Sequence, residues 1–237
     1  MSEAVLIRLA GITAHYRDPR YNTGKIARGN NLPIRTLHCP PPCTLHAMLC
    51  AAKGGWVDPE NLIVGWRMDF DSLSSDFQRC QLPQRSQYNF SKGIQKLEAS
   101  PRIREFLAFP RLTILAISGV DPAWFRRPAN PLCLGRSEDL VTEKRVIKNV
   151  SWHRVQEAEI EHQCLPFFIG FGTLYPAPLY FEHNRRPVEL SPKTDVRVEQ
   201  PVRDRSESPC LAEVVETGEP FFLWDYSRVT GQKQSAL

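Results

Sequence analysis

Alternating apolar strands, a single amphipathic helix and a basic polar insertion predict an α+β chain. Residues 1–150 follow the β-α-β-β-α-β order of ferredoxin-like domains, and residues 151–237 form a β-rich extension or small subdomain. Val5 to Leu9 is a compact apolar run ending at Gly11 and reads as the first strand. The next stretch, HYRDPRYNTGKIARGNNLPIRTLHCPPP, has turn residues throughout and no sustained period, so it reads as a long loop. In PPPCTLHAMLCAAKGG, residues 40–55, Leu45, Met48, Leu49 and Ala52 share one helical face. Cys43 or Thr44 caps that helix, Thr44 being the chemically better cap, and Gly54 with Gly55 ends it.

LIVGWRMDF, residues 62–70, sets Leu62, Val64, Trp66, Met68 and Phe70 on one side and Ile63, Gly65, Arg67 and Asp69 on the other, a half-buried strand. Residues 71–99 are polar and basic, the composition of a projecting hairpin. In S-P-R-I-R-E-F-L, Ser100 as cap and Pro101 at the first helical position predict a short helix. RLTILAISG, residues 111–119, is the next strand. The Pro-rich DPAWFRRPANPLCLGRSEDL stands where a degenerate second helix belongs, and EKRVIKNV, residues 143–150, is a further strand. Beyond Ser151, FFIGFGTLYPAPLYF and PFFLWDY read as strands, while SPKTDVRVEQPVRDRSESP reads as an exposed, Pro-rich segment. These strands either build a small all-β appendage or extend the first sheet.

The 237 residues are 42% hydrophobic and 24% charged, a balance that argues against disorder and against a membrane class. Cys39, Cys43, Cys50, Cys80, Cys133, Cys164 and Cys210 are odd in number and contain no C-x-x-C pair, which predicts free thiols in a cytoplasmic protein. The net charge is only +4, so its distribution matters more than its sum. Arg17, Arg20, Lys25, Arg28 and Arg35 face the single acid Asp18 between His15 and His38, a surplus equal to that of the whole chain. Arg79, Arg85, Lys92, Lys96, Arg102 and Arg104 form a second basic segment against Glu98. Both are interleaved with Tyr, Asn, Gln and Ser, which tilts the reading from solvated loops toward a polyanion.

His38, Cys39, Cys43 and His46 are metal-ligating types, but no second ligand pair follows downstream, so neither metal nor cofactor is expected. Cys50 is expected to pack in the core. Cys43 at a helix N-terminus is expected to have a lowered pKa, yet no oxyanion hole or orienting acid accompanies it. No phosphate-loop or dinucleotide fingerprint is present, and GRSED, residues 135–139, reads as a tight turn. The basic loops with Tyr16, Tyr21, Tyr88 and Phe90 suit single-stranded RNA, held by cations along its backbone and by bases stacked on aromatic rings.

The order V-L-I-R-L-A-G, Y-R-D-P-R, P-P-P-C-T-L-H-A-M-L-C-A-A-K-G-G and N-P-L-C-L-G-R-S-E-D-L resembles Cas5, the small RAMP-fold subunit of type I CRISPR surveillance complexes, over roughly residues 3–150. The spelling L-G-R-S-E-D-L looks closest to type I-B or I-A members. The resemblance implies a ferredoxin-like domain with a basic thumb at about residues 71–99. It implies binding of the guide RNA's 5′ handle beside a Cas7 backbone subunit and a Cas8-type large subunit, with target DNA contacted indirectly and no membrane involved. By that likeness Arg17, Arg20, Lys25, Arg28 and Arg35 line the handle's path, and Arg136 acts at or beneath the RNA-facing surface. Arg79, Arg85, Lys92, Arg126 and Arg127 complete the expected RNA-binding set. The tyrosine, lysine and histidine set of RNA-cutting type I-C members has no positional match, so a non-catalytic subunit is expected. The rival expectation is a metal-independent endoribonuclease using His15, Tyr16, Tyr88 or Lys92.

Overall fold

The computed structural model describes residues 2–21, 34–83, 97–166, 172–182, 187–188, 195–198 and 204–226. Eight principal strands and two helices organise them. They are β1 (Ser2–Gly11), α1 (Pro42–Lys53), β2 (Ile63–Asp69), β3 (Ser72–Pro83), β4 (Leu97–Ala108), β5 (Arg111–Ser118), α2 (Pro122–Arg126), β6 (Val141–Ile160), β7 (Asp204–Val214) and β8 (Pro220–Asp225). Six strands close an antiparallel barrel in the order β1-β5-β2-β8-β7-β6. Strands β3 and β4 pair with one another, and Thr13–Ala14 continues from β1 onto the base of β4.

Strand alternation divides the core in two. Leu6, Leu115, Val150, Trp152, Val214, Phe221 and Leu223 form one buried cluster, drawn from five of the six barrel strands. Ile7, Leu9, Val64, Trp66, Met68 and Ile114, of the opposite parity, join Leu45, Met48, Leu49 and Ala52 of α1 in a larger one. Gly65 marks a close approach of β2 to its neighbour β8: a Cβ there would stand 2.8 Å from Phe221 Cβ and 2.9 Å from the Phe222 carbonyl oxygen. Two of the buried indoles are hydrogen-bonded, whereas Trp152 Nε1 has no partner among the described residues. Trp66 Nε1 donates to the Pro40 carbonyl at 2.9 Å and Trp224 Nε1 to that of Cys164 at 2.7 Å. Tyr226 donates its hydroxyl proton to the Pro42 carbonyl at 3.1 Å. The triple proline is thereby tied to the barrel wall from two directions.

Three expectations are corrected. Helix α1 begins at Pro42, with Pro41 as N-cap and no side-chain cap, so Thr44 lies inside the first turn. Pro42 has its φ preset and no N–H to satisfy, which starts the helix earlier than a hydroxyl cap would. Gly54, at φ +78°, ends it as the sequence predicts. Second, Ser100 and Pro101 lie in β4, not in a helix; Pro101 faces Arg79 at the two-stranded end of the hairpin, beyond the stretch paired with Thr13–Ala14. An outer edge tolerates a missing N–H, so proline reads there as a strand residue. Third, the Pro-rich segment at 191–209 contains the strand Asp195–Val198 and the start of β7. Of the two alternatives for the last third, β7 and β8 join the first sheet, while Cys164–Pro166, Thr173–Pro176 and Asp195–Val198 make a separate small sheet. Residue 150 falls inside the 20-residue strand β6.

Among the described residues no helix is long and apolar enough to cross a membrane. Among the described residues Cys43, Cys50, Cys133 and Cys164 are free thiols.

Candidate nucleic-acid interface

Past Gly11 the chain leaves β1, pairs Thr13–Ala14 with β4, and then pairs Tyr16 with Leu37 and Arg17 with Thr36. This path forms one wall of a cleft of about 580 Å³, whose lining includes His15, Tyr16, Arg17, Arg104, Arg136 and the first turn of α1 at Cys43 and Thr44. Pro42 has no N–H and Thr44 N–H donates to the Pro41 carbonyl at 2.9 Å, so the helix contributes chiefly the positive end of its dipole here. Three arginines and a helix N-terminus therefore converge on one hollow.

The turn GRSED forms the opposite wall, and Asp139 is its hub. The Asp139 side chain has no exposed surface. It accepts from Thr13 Oγ1 at 2.6 Å and from Arg136 Nε at 2.8 Å, Nη2 at 2.6 Å and backbone N–H at 3.2 Å. Arg136 also reaches Glu138 at 2.8 Å. Gly135, at φ +119°, runs so close to His15 that a Cβ would collide with its carbonyl oxygen, and His15 N–H donates to the Leu134 carbonyl at 3.2 Å.

His15 is buried, and its Nδ1 lies 2.7 Å from the Glu105 carbonyl oxygen. A carbonyl only accepts, so Nδ1 carries the proton and Nε2 of the neutral ring is left as an acceptor. Burial lowers the pKa of His15; the Glu105 bond and Asp139 oppose this, and Arg136 and Arg104 reinforce it. The Tyr16 hydroxyl is buried and has no hydrogen-bond partner among the described residues, and burial holds its pKa well above the usual value. Cys43 corrects an expectation: burial outweighs its neighbours and pushes the thiol up to about 11, so the helix start does not activate it.

His38, His46 and His162 are likewise shifted down by burial from 6.5. With His15, all four take a proton more readily unfolded than folded. The unfolding free energy is therefore expected to hold above about pH 6.5 and to fall as pH drops below it toward the folded-state values. Urea unfolding at about pH 7.5 and 5.5 checks this; equal midpoints would count against the buried neutral histidines.

Of the expected RNA-binding residues, the cleft brings together Arg17 and Arg136. Arg20 forks onto the buried carboxylate of Asp18, and Arg35 is exposed with its carbonyl accepting from Asp18 N–H at 3.1 Å. Arg126 and Arg127 are exposed at the end of α2 and do not line the cleft. Arg79 lies in β3. Lys25, Arg28, Arg85, Tyr88 and Lys92 fall outside the described residues. The site residue missing from the expected set is Arg104, 7% exposed, paired with Asp76 at 2.6 Å and Glu138 at 3.5 Å. Its cross-strand partner becomes visible only once residues 97–108 are read as a strand.

No family model and no curated protein matches the chain. Among solved structures it is similar to a chain of a "CRISPR RNA-guided surveillance complex", with TM-score 0.52 and 20% identity over 87% of this chain and 91% of that one. A CRISPR protein from Archaeoglobus fulgidus matches with TM-score 0.41 and 13% identity over 92% and 98% of the two chains. A chain of the Type III-B Cmr-beta complex bound to cognate target RNA and AMPPnP matches with TM-score 0.43 and 12% identity over 86% of each. This mostly-β chain thus shares its fold with a component of a CRISPR RNA-guided surveillance complex.

Proposed function

We propose that the chain is a non-catalytic, Cas5-like subunit of a type I CRISPR surveillance complex, working in the cytoplasm, that seats the 5′ handle of the guide RNA. It would nucleate assembly with a Cas7 backbone subunit and a Cas8-type large subunit, and meet target DNA only through them. The strand order β6-β1-β5-β2, with α1 and α2 in the connections, supports a ferredoxin-like module inside the barrel. The β3–β4 hairpin, twelve residues in each strand, supports a thumb. The observation that carries the reading is the cleft, where Arg17, Arg104, Arg136 and the α1 N-terminus face one hollow. A phosphodiester backbone is what such a set of donors fits best. Arg17 is the exposed member, while Arg136 and Arg104 hold their acids and shape the wall.

Fluorescence anisotropy with single-stranded repeat RNA tests this. Arg17→Ala is expected to weaken binding about tenfold or more and to reduce the log-log salt slope by about 0.7, as loss of one phosphate contact requires. Arg126→Ala, away from the cleft, is expected to bind as the parent does. Equal affinity for Arg17→Ala and the parent would remove the cleft from the reading.

The endoribonuclease reading draws on one observation, the neutral tautomer of His15, with Nδ1 fixed on Glu105 and Nε2 able to accept a proton. Repeat RNA cleaved by this protein alone in chelator, and spared by His15→Ala, would favour it. RNA that stays intact at saturating protein would reject it.

A further inference from the structure

The two faces of the β3–β4 hairpin differ in kind, because directly paired residues share a face and alternate pairs share the same one. One face carries the pairs Asp76–Arg104 and Ser74–Phe106, with Thr13 opposite Ala108. This face meets the cleft: Arg104 lines it, and Thr13 donates to Asp139 of the GRSED wall. The other face carries Leu73–Leu107, Ser75–Glu105 and Phe77–Ile103, with Ala14 opposite Leu107. At its foot Leu107 and Ala14 are fully buried in the larger core cluster. Leu73, on the outer strand, is already half open, and four residues further out Phe77 is 74% exposed beside Ile103 at 37%. The apolar face of the core therefore runs past the edge of the body and lies open on the hairpin among the described residues.

Single exposed apolar side chains are ordinary, but a contiguous strip marks a surface that something covers. Between Leu73 and Phe77 the only charge on this face is Glu105, which is half-buried and makes no ion pair among the described residues. An acid set in an apolar strip repels a phosphodiester backbone, and it suits a protein surface that brings a cation of its own. Interface cores are likewise rich in aromatic residues and poor in charge. We propose that this strip docks a neighbouring protein subunit, which lays apolar side chains over Leu73, Phe77 and Ile103 and sets a basic residue against Glu105. The inference rests on reading the chain as a subunit of a CRISPR complex. The hairpin then acts as a partition, with guide RNA on its cleft face and protein on its back.

Coexpression of the full chain with its Cas7-type and Cas8-type partners and a guide RNA, followed by affinity purification on this chain, tests the surface. Phe77→Ser combined with Ile103→Ser is expected to lower recovery of one protein subunit at least tenfold. Glu105→Lys, which removes no apolar contact, is expected to lower it about threefold or more. RNA affinity of the isolated variants, read by anisotropy, is expected to equal the parent's. Phe181→Ser, equally open to solvent but in the separate Tyr180–Phe181 pair of strands, is expected to assemble as the parent does. Unchanged recovery for both the double variant and Glu105→Lys, with the parent assembling, overturns this inference alone. A parent that recruits neither subunit removes the complex reading and this inference with it. A double variant that assembles but binds RNA tenfold more weakly places bases on this face instead. Dimers of the isolated parent that the double variant abolishes place a second copy there, and either result overturns the proposal.

Discussion

Asp139→Ala is expected to lower the unfolding free energy by about 3 to 5 kcal/mol, the usual cost of removing one member of a buried ion pair and leaving the other uncompensated. The carboxylate is fully enclosed and the Arg136 side chain is only 18% exposed, so solvent screens the pair weakly. The change also strands the Thr13 hydroxyl and the Arg136 N–H, both of which point at the missing oxygens. Asp139→Asn keeps an acceptor for Thr13 and removes the charge, and a smaller loss is expected from it. Urea unfolding of the three proteins measures both differences, and a loss below about 1 kcal/mol for the alanine variant would show that Asp139 is not the hub. If the cleft seats RNA as proposed, affinity for RNA falls with the alanine variant as well, since the GRSED wall moves with Arg136.

Gly135→Ala is expected to cost about 2 to 4 kcal/mol through a different route, combining a positive φ that L-residues avoid with overpacking against a neighbouring backbone. The atom it would strike belongs to the main chain at His15, which has no rotamer to yield. The His15–Leu134 bond and the cleft wall must then open together. Gly55→Ala is the matched control, because nothing lies within 4 Å of its new Cβ and its φ is unstrained. If the two glycine variants unfold at the same denaturant concentration, the close approach of residues 15 and 135 is not a constraint.

Local pattern carried most of the first half of the fold. The Leu45, Met48, Leu49 and Ala52 face gave α1, and period-two alternation gave β2, because both depend on side chains a few residues apart. Residues 97–108 were misleading, since Ser-Pro before an apolar run announces a helix unless an outer edge is present to accept the proline, and that edge is made by pairing with residues 72–83. Barrel closure is a property of pairing between distant segments, which leaves no local trace. The arginines of the 17–35 segment pointed to the cleft that Arg17 lines, but composition does not say which cations are already spent on acids. Arg20 is held by Asp18, and Arg136 by Asp139 and Glu138.

The barrel seam also sets an order of events during synthesis. Strands β8 and β7 fill the gap between β2 and β6, and the Arg8–Glu219 contact joins residues 211 positions apart. Such long-range closure places the chain among slow folders. Until residues 204–225 leave the ribosome, Ile63–Asp69 and Val141–Ile160 each present an unpaired strand edge, a ready template for the same segments of a neighbouring nascent copy. The vulnerable moment in the life of this protein is the interval between translation of residue 160 and translation of residue 225, and coexpressed chaperones that shield strand edges are the natural remedy for poor yield.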